Sequence, residues 1–465
     1  MDEMEKILQE LVHEKLAEAQ AELNLNMPEG LEPPDLAAEY ANSLQARKAD
    51  GVPVDLPDMD KMLQELPEDV RAQIPEAELA KLRKNIAESK LQLEALMRDA
   101  AAMKAEEPQE AGLDLGQYHP FLKEMTREKV AAMHAASESM EGFNFTGLDL
   151  SDMDLSGGLF NEVHFVRTNL KGARLAGAQL QGALFDAADV SAADFTEANL
   201  TDSLWMNQTQ ATQACFVKAA AASMNILTCC FNEANFNEAQ LRSSIFNESE
   251  LNAASFRFAD LAHLVLIESQ AQQCDLTGAL WDDAFLNRSN FSGSCLEKSQ
   301  GASVIFWESD ASALKARGAS LPNLIAGDPA TIIDNSCFDE ADLTGSSLRD
   351  ISAQGMTARK AVFDNSLLEK VNLSGADWQQ ARGVGAWISK SRAEHANFSR
   401  VNLMQGSLRK TQFKSSDLSA GCFYATEFYQ AQFVATRLDA AFTASSNLTE
   451  RQRREAAKPV HSQES

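Results

Sequence analysis

The stretch FNFTG LDLSD MDLSG GLFNE VHFVR TNLKG ARLAG AQLQG ALFDA ADVSA ADFTE ANLTD, from Phe143 to Asp202, decides how the chain is read. Cut into fives, its third residue is always Leu, Phe or Val. The first is usually Ala or another modest-sized residue, and polar residues dominate elsewhere. A period of five matches neither a helix, at about 3.6 residues, nor a strand, at about 2.0. It needs a backbone that repeats two inward side chains, two apart as on a short strand, and then turns a corner. Small residues suit the first inward slot because the large central side chain leaves little volume beside it.

The pattern continues to Leu448, and units such as ADFTE, ANLTD, ADLTG and ANFSR resemble the pentapeptide-repeat family, whose unit is written A(D/N)LXX. That resemblance implies an all-β, right-handed quadrilateral β-helix with four pentapeptides per coil. The domain reading is then an acidic helical N-terminal region with Pro-rich linkers over 1–140, the β-helix over 141–448, and a disordered tail over 449–465.

The phase shifts twice. One residue is inserted near Gln208–Cys215, which reads as a bulge. Two are inserted within GDPATIIDNSC, Gly327–Cys337, where Gly, Asp and Pro favour an excursion loop. Counting each inserted segment as two pentapeptides keeps residues one coil apart in column. One outward column then reads Leu184, Leu204, Asn225, Ile245, Val265, Phe285, Ile305 and Ile325, where the family has Asp or Asn. The same face shows Met206, Leu227, Ile267 and Trp307 after the central residue, and the column runs on through Ser347, Leu367 and Trp387. A contiguous apolar stripe of this kind marks a covered surface or an interface. Its seven coil steps from Leu184 to Ile325 span about 34 Å, at roughly 4.8 Å per coil.

The N-terminal region reads as helices separated by Pro-punctuated linkers. Met4, Ile7, Leu8, Leu11 and Leu23 line one face of an amphipathic helix, and a short helix is expected in Asp35–Ala49. From near Glu76, Leu79, Leu82, Ile86, Ser89, Leu93, Leu96, Ala100 and Met103 alternate three- and four-residue steps, a coiled-coil seam with one polar slot. That helix is about 36 Å long, close to the stripe, and predicts either docking on it or shared use by partner helices. The octad MEKILQEL (Met4–Leu11) recurs as MDKMLQEL (Met59–Leu66), so Leu8, Leu11, Leu63 and Leu66 join the candidate partner-binding residues.

The 465 residues carry a formal net charge of −27. About half of that excess lies in residues 1–140, which argues against a binder of nucleic acid or anionic membrane. No signal-peptide pattern or run of 18 apolar residues occurs, and the seven cysteines lack metal-ligand spacing, so a reducing cytoplasm is expected. Cys229 and Cys230 are neighbours, and on a strand they point to opposite faces. Phosphate-binding, zinc-protease and nucleophile-elbow motifs are absent, and the histidines are dispersed; His164, His263 and His395 are predicted to point outward without partners. No catalytic residue, cofactor or metal is therefore expected.

A long solenoid with an extra N-terminal module, with units such as LSGADW and FYATEFYQAQF, is similar to repeat proteins encoded with bacterial type VI secretion systems. That similarity implies a non-enzymatic scaffold or adaptor assisting effector loading. A second resemblance, to quinolone-resistance pentapeptide proteins, implies a dimeric DNA mimic acting on a type II topoisomerase. A third reading is a structural homo-oligomer whose stripe is its dimer face. In each, the partner is a protein or a second copy.

Overall fold

The structure, a computed structural model, describes residues 125–457. The helices predicted around Leu8, Leu63 and Leu79–Met103 lie outside those residues. The described chain is a parallel β-solenoid. Twelve three-residue strands, from β1 (His164–Val166) to β12 (Trp387–Ser389), form one parallel sheet in sequence order. Their middle residues, including Phe165, Phe185, Trp205, Ile226 and Phe246, define what we call face A. The other three faces, B, C and D in the order the chain meets them, are joined coil to coil mainly by single parallel bridges. In the last coils the three-residue strands move to face B, as β13 (Gln412–Lys414) and β14 (Gln432–Val434).

Every inward position is packed. Central residues such as Leu170, Leu175 and Leu180, and the small Ala173, Ala178 and Ala183 before them, are fully buried. Rings stack coil on coil: Phe195, Phe216, Phe236 and Phe256 on face C have centroids 4.9, 4.5 and 5.1 Å apart. Those separations match the coil rise of about 4.8 Å, so one repeat length satisfies both the backbone ladder and aromatic contact. Gly301 replaces a large central residue because the Trp281 indole takes its space; a Cβ there would lie 2.6 Å from Trp281 Nε1.

The corner from face A to face B differs from the rest. Elsewhere most corners close with a bond three residues back, as when Ala173 N–H donates to Leu170 O at 2.9 Å, although Met224, Cys274 and Leu314 donate instead to a serine one coil on. Between faces A and B, as far as the coil of Ile388, the strand runs on in the regular coils and hydroxyls take over. The N–H groups of Cys229, Ser249, Ser269 and Ser289 donate to the Oγ of Ser249, Ser269, Ser289 and Ser309, one coil on, at 3.1–3.2 Å. Each of those four serines donates to a carbonyl two residues back at 2.9 Å. Both insertions fall at this corner. Leu204 pairs with Asn225 and Ile325 with Ser347, while His164 pairs with Leu184 at the regular twenty-residue step. With no local turn bond to break in the regular coil, an extra residue is accommodated here, and Thr209 and Thr331 then close tighter turns onto Met206 O and Asp328 O.

Helices close both ends. Helix α1 (Arg127–Ala135) starts at Thr126, whose side chain accepts from Lys129 N, and buries Val130 against the first coil. Its Arg127 guanidinium donates to Asp149 O and Ser151 O at 2.9 and 2.7 Å. At the other end the structure corrects the sequence reading, for residues expected to form an unstructured tail begin with helix α2 (Glu450–Ala456). Gln452 completes a capping box with Thr449 and donates through Nε2 to Phe428 O and Ala431 O, both at 3.0 Å. Covering the terminal coils removes the open β-edges through which such a ladder would add another chain.

The serine column makes a specific prediction. Ser269→Ala leaves the buried Ser249 N–H without an acceptor and should lower stability by about 1–3 kcal/mol. Ser269→Thr keeps the oxygen, as Thr168 and Thr209 do at equivalent corners, and should cost clearly less. Urea denaturation of the full-length variants checks the difference.

Candidate protein-binding face

The structure places the predicted stripe in one column of face A. Strand pairing joins Leu184 to Leu204, Ile245 to Val265, Val265 to Phe285, Phe285 to Ile305 and Ile305 to Ile325. Asn225 bridges Leu204 and Ile245 across the first insertion, and the column passes the second through Ser347 to Leu367 and Trp387. Equivalent positions on face B are polar over much of their length, as with Asp189, Gln210, Glu250, Gln270, Asn290 and Asp310. The second outward column of face A carries Met206, Leu227, Ile267 and Trp307. The Trp307 ring occupies the space above Gly327, where a Cβ would lie 2.9 Å from it.

The row is less open than an exposed stripe. Ile245, Phe285 and Ile305 retain 4, 8 and 6% of their surface although they point away from the core, and Leu184 is also buried. Leu204, Leu227, Val265, Ile267, Trp307 and Ile325 are half-buried, and Trp387 is 53% exposed. The N-terminal candidates Leu8, Leu11, Leu63, Leu66, Leu79, Leu82, Ile86, Leu93 and Leu96 fall outside the described residues.

Charge divides the corner beside this face. The residues just past its second outward column include Arg167, Ala187 and Thr228, then run Glu248, Glu268, Arg288, Glu308, Asp328 and Asp350, followed by Lys370, Lys390 and Lys410. Arg288 bridges Glu268 and Glu308 at 3.3 and 2.7 Å, and those acids hold its pKa above the ordinary arginine value. Lys370 pairs with Asp350 at 3.1 Å and Lys390 with Glu369 at 2.6 Å. Glu369 also accepts from Arg349 at 2.9 Å, and its two cations keep its carboxyl below the usual range. These groups were not picked out from the sequence. They become visible only when residues are sorted by corner, because twenty-residue spacing hides a column among unrelated neighbours.

No group of side chains suited to hold a metal occurs among the described residues. Against the expectation of no partner, His263 Nδ1 lies 3.6 Å from Asp283. All seven cysteines are free, with Cys229 and Cys274 buried in small inward slots. Burial pushes both thiols up to about 12, so neither is a nucleophile at neutral pH. No helix among the described residues is long and apolar enough to cross a membrane.

The repeat model for pentapeptide repeats matches eight copies in this chain, over residues 164–202, 229–269, 272–300 and 336–375. The matched segments of the solenoid are thus built of pentapeptide repeats. No curated protein sequence matches it. Among solved structures it is similar to a trypsin-treated variant of QnrB1, a plasmid-mediated fluoroquinolone resistance protein, at 18% identity and a TM-score of 0.28, covering 45% of this chain and 88% of that one. It is also similar to HetL of the cyanobacterium Nostoc sp. strain PCC 7120, a pentapeptide repeat protein involved in heterocyst differentiation regulation. There the identity is 17% and the TM-score 0.21, over 70% of this chain and 95% of that one.

The buried thiols offer a direct check on the packing. In the folded chain at pH 8, Cys229 and Cys274 should stay unmodified by a thiol reagent over hours and react fully once the chain is denatured, as mass spectrometry of the cysteine peptides would show. Rapid native modification of either would contradict the inward placement.

Proposed function

We propose that this chain is a non-catalytic protein-binding scaffold whose partner docks along face A. The observation carrying this reading is the apolar row from Leu184 to Ile325, set where an Asp or Asn would otherwise stand and kept in line across an insertion. Its length of about 34 Å suits an amphipathic helix of roughly 23 residues, at about 1.5 Å of rise each. Such a helix would take hold of the members that keep accessible surface, Leu227, Val265, Ile267 and Trp307. The solenoid supplies rigidity, since every coil is bonded to both neighbours and no side chain must reorganise to present the row.

The finer assignment, an adaptor that assists effector loading in a type VI secretion system, rests on repeat style and the presence of an extra N-terminal module. A DNA mimic acting on a topoisomerase fits the acidic corner from Glu248 to Asp350. It fits the Lys370–Lys390–Lys410 column poorly, because a mimic of phosphates would keep one sign of charge along its length.

Replacing Val265 and Ile267 together by Asp in the full chain tests the proposal. The circular dichroism spectrum should be retained, while binding of a partner captured by the wild type weakens at least tenfold, the equivalent of about 1.4 kcal/mol. Unchanged affinity in a folded variant would contradict docking on face A. In a gyrase supercoiling assay the wild-type chain should have no effect, and inhibition at stoichiometric concentration would favour the mimic.

A further inference from the structure

The corner between faces A and B changes sign along its length. From Glu248 to Asp350 its residues are acidic except Arg288, which is already held between Glu268 and Glu308. Beyond it Lys370, Lys390 and Lys410 are exposed in consecutive coils, about 4.8 Å apart. Stacking like charges at that spacing is unfavourable. Lys370 and Lys390 have one carboxylate each, and Lys410 makes no ion pair among the described residues. A chain with net charge −27 thus keeps a positive strip immediately beside an acidic one.

An edge that is acidic in one half and basic in the other is complementary to itself when reversed. We infer that this corner is a self-association edge on which a second copy of the chain lies antiparallel, related by a two-fold axis. With the axis between the coils of Leu348 and Leu368, Lys370 meets Asp350 of the second copy. Lys390 then meets its Asp328, and Lys410 its Glu308; symmetry repeats each pair. In that register Trp387, 53% exposed on face A, comes level with Ile325 of the second copy and supplies an aromatic anchor beside the charges. End-to-end association has no comparable basis, because α1 and α2 cover the terminal coils. The inference stands on the charged corner and not on what occupies the apolar row, so each can fail without the other.

Sedimentation equilibrium of three full-length proteins tests it. The wild type should be dimeric at low ionic strength, with an association constant falling at least about tenfold between roughly 50 and 500 mM salt as the charges are screened. The variant K370E/K390E/K410E has an acidic corner throughout, and E308K/D328K/D350K a basic one. Each alone should sediment as a monomer, and mixing them should restore a dimer. Circular dichroism of each confirms folding. A monomeric wild type at tens of micromolar protein and low salt would overturn the inference. So would a dimer that survives either charge reversal, or two folded variants that fail to associate when mixed.

Discussion

The backbone ladder between coils is the interaction on which everything else depends. Leu170 N–H donates to Asp189 O at 2.6 Å and Asp189 N–H to Thr168 O at 3.0 Å, and the same exchange recurs around each coil. Because every bond joins residues about one coil apart in sequence, the solenoid behaves as a one-dimensional stack in which each coil is held by its neighbours. Side chains therefore inherit the repeat. A residue type recurring at the coil step becomes a continuous line inside or outside the barrel, whether a ring ladder, a serine ladder or a row of aliphatic side chains.

Much of this was legible in the chain itself. Phe195, Phe216, Phe236 and Phe256 announce their inward stack by position in the pentapeptide, and the column from Leu184 to Trp387 could be drawn by counting alone. The serine ladder was not. At the pentapeptide scale Ser249 and Ser269 look like any small inward residue, and their role appears only when the missing corner bond is seen. Helix α1 buries little beyond Val130, so it lacks a long apolar face to read. Helix α2, with sequence ERQRREA, looks like solvated tail; the amide of Gln452 fixes it, and no periodicity reports that contact. The concealment of Ile245, Phe285 and Ile305 was also beyond reach, since pattern shows which way a side chain points and not how much of it water touches.

On the proposed reading, face A and its flanking corner would divide the work of recognition between two kinds of physics. The apolar row offers burial, which is strong and tolerant of small misalignment. The charged corner offers little net affinity per pair at an exposed surface, but it penalises wrong registers and so sets orientation. The two insertions lie at this same corner, where the strand lacks a closing bond, and they lengthen it without taking the row off its face.

The continuity of that row across both insertions is the central claim, and disulfide trapping tests it most directly. Ile325 and Ser347 are paired neighbours on adjacent coils, close enough for a disulfide between engineered cysteines. The account predicts that Ile325→Cys with Ser347→Cys forms an intramolecular cross-link readily under mild oxidation, whereas Ile325→Cys with Gly345→Cys, at the uninterrupted twenty-residue spacing, does not. Preferential linkage of the second pair would show that the row is broken at the insertion.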